Sequence, residues 1–181
     1  NNGMALASGD YLLLLDADDL LADDGLSLLL EQARQLRLDV AVGNFCHLYQ
    51  SGELSRNRAL HCGGPMRGAE WLAAALTRRK YQPAVWYRLY RRAFLQQHGL
   101  QFVPRLINED QLFSVQVMLL AERVAAFNLP FYHYRHRPGS ISNERSAERA
   151  WVRLTSDLYS AREILTCAEQ HGDPRLTKLL M

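Results

Sequence analysis

Residues 11–19 read Tyr11-Leu12-Leu13-Leu14-Leu15-Asp16-Ala17-Asp18-Asp19. An unbroken apolar run ends abruptly on an aspartate. Such a run suits a strand covered on both faces, as in a mixed or parallel α/β sheet. The carboxylates then fall at the strand's C-terminal end, where open α/β sheets bind ligands. Asp16 and Asp18, separated by one residue on a tight turn, can point toward one site. Their repulsion is costly unless a cation sits between them. Mg²⁺ or Mn²⁺ takes hard oxygen ligands of this kind and bridges to phosphate oxygens. The same aspartates also fit a solvated turn with a helix cap, and the motif alone leaves both readings open. An EF-hand is excluded by spacing, because Leu20 and Leu21 stand where that loop needs a polar ligand and a glycine.

Outward from this stretch, strands and helices alternate, which argues for α/β architecture. Asp23 or Asp24 is placed to cap a helix whose inner face is Leu26, Leu29, Leu30, Ala33 and Leu36. Val40 to Cys46 reads as a second strand. Gln50 to Arg67 is polar and Gly-rich, a long loop with room for short strands. Ala69 to Leu76 reads as a short helix and Ala84 to Tyr90 as a strand weighted by Trp86, Tyr87 and Tyr90. Arg91 to His98 predicts a helix stopped at Gly99. Glu109 to Ala121 predicts another, with Leu112, Phe113, Val117 and Leu120 inward. Val124 to Phe127 and Phe131 to Tyr134 read as short strands around Pro130. A turn follows at residues 137–140, then a long helix from Ala147 to Gln170, stopped by Gly172 and Pro174.

The chain has 181 residues, 48% hydrophobic and 22% charged, the composition of an ordinary soluble globular protein. A net charge of +2 is too near neutral to argue for nucleic acid. Three cysteines, Cys46, Cys62 and Cys167, show no CxxC spacing, so neither a disulfide framework nor a zinc site is indicated, and a reducing, cytoplasmic setting fits best. No apolar run approaches the ~20 residues that span a bilayer. Asn1-Asn2-Gly3 is not a natural initiation sequence, so the chain is expected to be a fragment of a longer one.

A second acidic pair opens the predicted helix at Asn108-Glu109-Asp110. Acidic residues are favoured in a first helical turn by the macrodipole. The functional alternative makes Asp110 a general base, taking the proton from an attacking hydroxyl. Trp86, Tyr87 and Tyr90 either stack on the flat face of a ligand or pack the core. The long C-terminal helix carries Trp151, Leu154, Leu158, Ile164 and Leu165, a stripe suited to packing on the main domain, with peripheral membrane contact as the alternative.

Four stretches in order resemble family 2 glycosyltransferases, inverting enzymes of the GT-A fold. Asn2-Gly3, Ala7 to Tyr11 and Leu15 to Asp19 are similar to the family's N-x-G, G-[DE]-[YF] and D-x-D-D pattern. Trp86 to Leu95 looks like the segment after its acceptor loop. Residues 108–113 look like E-D-x-x-[FL], and residues 131–142 look like its Y-x-Y-R-x-x-x-G-S-[IV]-S ending. The resemblance implies a partial GT-A domain over residues 1–142, a Rossmann-like mixed sheet flanked by helices, with a C-terminal helical extension over 143–181. It implies a nucleotide-diphosphate sugar donor, Mn²⁺ or Mg²⁺, and a saccharide or lipid-linked acceptor, with a role in surface polysaccharide or glycolipid synthesis. The setting would be cytoplasmic, at the inner face of the membrane.

By position, Asp18 would be the main metal ligand, Asp16 would lie near the ribose or metal, and Asn2 and Gly3 would belong to a loop near the donor. Asp110 would be the base. Glu109 would contact the acceptor or support the base, and Trp86 would meet the acceptor. Many members place a His just before x-G-S. This sequence has Arg137 there, suited to the diphosphate, with His136 nearby for the metal and His133 as a structural histidine. The family's base-reading first half has no counterpart in the chain. Two rivals remain. One is a non-catalytic glycan- or partner-binding domain. The other is a haloacid-dehalogenase-type phosphatase with Asp16 as nucleophile, which lacks the Thr/Val, the Lys and the later acidic site of that class.

Overall fold

The computed structural model describes residues 1–22, 24–57, 60–62, 64–137 and 147–181. In chain order its elements are α1 (Asn2–Leu6), β1 (Tyr11–Leu13), β2 (Leu20–Leu21), α2 (Gly25–Gln35), β3 (Val40–Leu48), β4 (Leu54–Arg56) and α3 (Gly68–Thr77). They continue with β5 (Arg88–Arg91), α4 (Arg92–Gln97), α5 (Glu109–Leu120), β6 (Val124–Arg135), α6 (Ala147–His171) and α7 (Pro174–Leu180). The strands form one mixed sheet in the order β1-β5-β3-β6-β2, with β4 pairing the far end of β3. This is the α/β sheet flanked by helices that the alternation of elements predicts.

β3 and β6 are parallel, while β5 runs antiparallel to both β3 and β1. The carboxyl ends of β1, β3 and β6 therefore share one edge of the sheet. β3 is the central strand. Val40, Ala41 and Val42 are completely buried, as are Val124, Ala125 and Ala126 opposite them. Small side chains on both strands let α2 close on the sheet. Gly43 lies against the Phe131 ring, where an added Cβ would overlap the ring atoms.

β6 is a single strand where the sequence suggests two. Pro130 lacks the N–H that a ladder needs, and the β3–β6 register shifts at Asn44, opposite it. The Asn44 side chain fills the breach, donating to Asn128 Oδ1 (2.9 Å) and the Asn57 carbonyl (3.0 Å) and accepting from the Phe45 amide (2.9 Å). The irregularity is a bulge that keeps pairing on both sides of the proline.

Several expectations are corrected. β1 ends at Leu13, and only Leu12 is buried, because β1 is the outer strand of the described sheet and pairs with β5 alone. Leu15 is 50% exposed. Asp24 occupies the N-cap of α2 in a left-handed conformation and makes no side-chain cap bond, while Asp23 lies outside the described residues. Residues 84–87 are irregular, and β5 begins only at Arg88. Leu120 faces outward from α5. Asn2 and Gly3 form the first turn of a short helix rather than a loop. The turn at 138–140 and the rest of the family-like ending to Ser142 lie outside the described residues.

The C-terminal helices pack on the body of the sheet domain. α6 lies along α5, and α7 reaches α3. Ala168 and Leu176 are fully buried. Asp173 caps α7 with bonds from the Arg175 and Leu176 amides, and Pro174 takes the first helical position.

Candidate functional site

β1 and β2 sit at opposite ends of the strand order, so the segment between them, residues 14–19, crosses the carboxyl edge of the sheet. That crossing carries the acidic turn. Tyr132 on β6 fixes it, because its hydroxyl donates to Asp19 Oδ2 (2.7 Å) and accepts from the Asp16 amide (3.3 Å). The Arg135 amide donates to Asp19 Oδ1 (2.8 Å). Asp19 is therefore a buried structural anchor, and its pinning leaves Asp16 and Asp18 on the outer side of the turn.

Asp18 pairs with Arg137 (Oδ2–Nη2 2.5 Å). The Asp16 side chain is exposed and makes no hydrogen bond among the described residues. Its pKa is nevertheless raised, first by desolvation and then by Asp19, Asp18, Asp110 and Glu109. Residues from two distant stretches thus meet in one electrostatic field. Asp110, in the first turn of α5, is also raised, first by desolvation and then by Glu109. Amides of that turn and the nearby Arg88 guanidinium oppose the shift. A cluster of carboxylates that repel one another is the environment that a divalent cation would relieve.

Among the described residues, no group of three or more His, Cys, Asp or Glu side chains is arranged to hold a metal unaided. Asp16 and Asp18 nonetheless offer hard oxygens in the number that suits Mg²⁺, which is commonly held by one or two carboxylates with waters and substrate phosphates completing its shell. His136 is engaged elsewhere. Its Nε2 lies 2.9 Å from His47 Nδ1, and its ring stacks on Tyr49 at 4.8 Å. His47 is held below the ordinary histidine range, first by desolvation and then by His136.

Trp86 precedes β5 and stands beside the acidic crossing. Its indole stacks on Tyr132 (4.5 Å, 20°) and Tyr134 (5.5 Å, 10°) and meets Phe45 edge-on (4.7 Å). Burial and the three aspartates of the turn raise the Tyr134 hydroxyl. The aromatic cluster and the carboxylates therefore form adjoining walls. Asn2 and Gly3 share an open cleft with Glu109, roofed by Phe102 and Val103. Asn1 fastens α1 there with a two-way amide contact to the Phe102 backbone (2.8 and 2.9 Å).

Sequence reasoning missed the residues that set the start of α5. Asn108 is left-handed (φ 58°) and gives no N-cap bond. Its amide donates instead to Asp157 Oδ1 on α6 (3.0 Å), and the Ile107 amide donates to Ser156 Oγ (3.2 Å). The left-handed Asn, tolerated in that region better than most residues, is a local signal, but its partner on α6 has none.

The uncharacterized glycosyltransferase YibD of Escherichia coli (strain K12) is 27% identical over 146 residues, 78% of this chain and 42% of the relative. The uncharacterized glycosyltransferase EpsJ of Bacillus subtilis (strain 168) is 30% identical over 149 residues, again 78% and 42%. The chain thus spans less than half the length of these curated relatives. The crystal structure of S. aureus TarS 1–349 in complex with UDP-GlcNAc superposes with a TM-score of 0.70 at 20% identity, covering 91% of this chain and 45% of that one. TarS shares the fold. Residues 1–99, more than half of the chain, match the family model for glycosyl transferase family 2, and the chain belongs to that family.

Proposed function

We propose that this chain is the metal- and acceptor-side portion of an inverting glycosyltransferase that uses a nucleotide-diphosphate sugar. The observation that carries the reading is the acidic crossing of Asp16 and Asp18 at the carboxyl edge of the sheet beside an aromatic wall, with Asp110 and Glu109 adding to the repulsion on Asp16. The complexes of TarS with UDP and UDP-GlcNAc support a nucleotide sugar as the donor class.

Asp18 and Asp16 would hold Mn²⁺ or Mg²⁺, with His136 at the margin of that set. The cation, when bound, supplies neutralisation of charge on the departing diphosphate. Arg137, released from Asp18 as the donor enters, pairs with the same diphosphate through its guanidinium fork. Asn2 and Gly3 line the donor side of the cleft, Glu109 faces the acceptor, and Trp86 presents an aromatic edge to it. Asp110 takes the acceptor hydroxyl's proton as oxygen attacks the anomeric carbon from the face opposite the leaving group. One displacement inverts the configuration and needs one base, unlike the two-step retaining route.

The acceptor would be a saccharide or a lipid-linked saccharide, in surface polysaccharide or glycolipid synthesis on the cytoplasmic side of a membrane. The described helices include none long and apolar enough to cross a bilayer. α6 exposes Trp151, Leu154 and Leu158, a stripe fit for peripheral contact.

The test is calorimetry of the full-length protein with UDP-GlcNAc and other nucleotide sugars, with and without Mn²⁺. Asp18→Ala should abolish the Mn²⁺-dependent part of donor binding. Donor binding by Asp18→Ala equal to wild type would remove Asp18 from the metal set. A product with retained anomeric configuration would contradict the single displacement.

A further inference from the structure

The amino edge of the sheet, opposite the acidic crossing, gathers arginines from three separate stretches of chain. Arg34 and Arg37 stand at the end of α2, Arg91 closes β5, Arg92 opens α4, and Arg123 immediately precedes β6. The five line one open cleft of about 570 Å³, in which Asp10 is the one carboxylate among the described lining residues. Strand direction sets this polarity, since β1, β3 and β6 start here and antiparallel β5 ends here. A net charge of +2 therefore conceals a segregated molecule, acidic at the carboxyl edge and basic at the amino edge.

Three of the guanidinium groups are fastened along one edge. Asp39, buried just before β3, accepts from Arg91 Nε (3.2 Å) and Nη2 through Oδ1, and from the Glu122 and Arg123 amides (3.0 Å each) through Oδ2. Arg123 directs Nε (3.1 Å) and Nη2 (2.7 Å) to the Leu36 carbonyl, at the end of α2 where a cation suits the helix dipole. Arg92 donates from Nε to the Gly9 carbonyl (2.6 Å) and from Nη1 to Gln96 Oε1 (3.5 Å). Nη1 of Arg91, Nη1 of Arg123 and Nη2 of Arg92 are left with no hydrogen bond among the described residues. Nor do the carboxylates cancel the charge. Arg91 pairs with Asp39, and Arg34 meets Asp10 at 3.7 Å with both side chains well exposed, a contact worth little. Arg37, Arg92 and Arg123 have no ion pair among the described residues. The fold needs one edge of each fastened guanidinium, and the second edge is surplus to it.

We propose that this cleft is a second ligand site, at the edge opposite the transfer site, which takes the phosphate groups of a soluble phosphorylated ligand or of an anionic lipid headgroup. Guanidinium N–H groups pair with carboxylate and phosphate alike. Donors that arrive from three stretches of chain suit an anion whose oxygens spread tetrahedrally, which phosphate offers and a planar carboxylate does not. The fastened side chains have already lost rotamer freedom on folding, so binding does not meet that cost again. An anion also relieves the mutual repulsion of the crowded cations. The cleft includes none of the residues assigned to the metal, the donor or the acceptor, so it stands or falls apart from that assignment.

The experiment uses the full-length protein and two probes, in EDTA so that no cation bridges a probe to Asp16 or Asp18. Calorimetry with inorganic pyrophosphate reads soluble phosphate. Co-sedimentation with vesicles of phosphatidylglycerol in phosphatidylcholine, against phosphatidylcholine alone, reads the headgroup. The test variant combines Arg37→Gln with Arg92→Gln, which spares the Asp39 pair and the Leu36 cap, and an unshifted denaturation midpoint shows that it folds. It should bind its probe at least roughly tenfold more weakly than wild type, the loss expected of charge-assisted donors. Wild-type binding should weaken as salt is raised. Arg137→Gln, at the other edge, should bind as wild type does. Loss of phosphatidylglycerol binding in the double variant identifies the lipid headgroup as the source, and loss of pyrophosphate binding alone identifies a soluble ligand. Wild type that binds neither probe, or a double variant that binds both as wild type does, overturns the site. Pyrophosphate binding lost in Arg137→Gln and kept in the double variant would place the anion on the donor side and overturn it equally.

Discussion

Three aspartates in one turn have three different employments, and the difference lies in what each one meets. Asp19 is consumed by Tyr132 and the Arg135 amide, Asp18 by Arg137, and Asp16 stays open. Tyr132 therefore matters more than a core aromatic would, since its hydroxyl holds both ends of the turn. Tyr132→Phe leaves the ring and removes the bond to a buried carboxylate, a loss of about 1–3 kcal/mol. The urea midpoint should fall accordingly, and Mn²⁺-dependent donor affinity should fall with it. An unchanged midpoint would mean that the turn is held by something else. None of this division was legible in the sequence. Asp16-Ala17-Asp18-Asp19 marks the site, but which aspartate is spent on structure depends on β6, more than a hundred positions away. The setting of the buried Arg88 was hidden for the same reason, since its surroundings come from α3, α5 and the segment between α3 and β5.

At the scale of elements, the site depends on how α5 is started. Its N-cap is left-handed and uncapped by its own side chain, and α6 supplies the missing restraint through Ser156 and Asp157. Asp157→Ala should cost only about 0.5–1.5 kcal/mol in stability. Displacing the first turn of α5 should lower kcat roughly tenfold or more, because small misplacements of a base are costly. Donor affinity should be unchanged. Steady-state kinetics beside a denaturation curve check this, and wild-type kcat would show that α6 plays no part in the site. The helices were largely legible, because α2, α3 and α5 carry apolar faces of helical period. The strands were less so. β1 reads as a strand covered on both faces from its apolar run, yet only Leu12 is buried in an outer strand of the described sheet. β6 reads as two strands because Pro130 normally breaks one, and the Asn44 bulge that rescues it is a tertiary device.

Across the whole molecule, the sheet does one thing for function. It brings the carboxyl ends of β1 and β6 to a single edge, where an acidic crossing and an aromatic wall adjoin. The resemblance over residues 1–142 was enough to name the family, because its four short motifs occur in order. What surrounds Asp16 and Asp110 shows only in three dimensions, where desolvation raises the pKa of both, helped by Asp19 and Asp18 at Asp16 and by Glu109 at Asp110. The most direct measurement is sugar transfer by Asp110→Asn in the full-length protein, with donor binding followed in parallel. Transfer should fall by at least about a hundredfold, the usual contribution of a general base, while nucleotide-sugar binding stays at the wild-type level. Transfer near wild type, with binding intact, would contradict the assignment of Asp110 as the base on which the proposed mechanism is built.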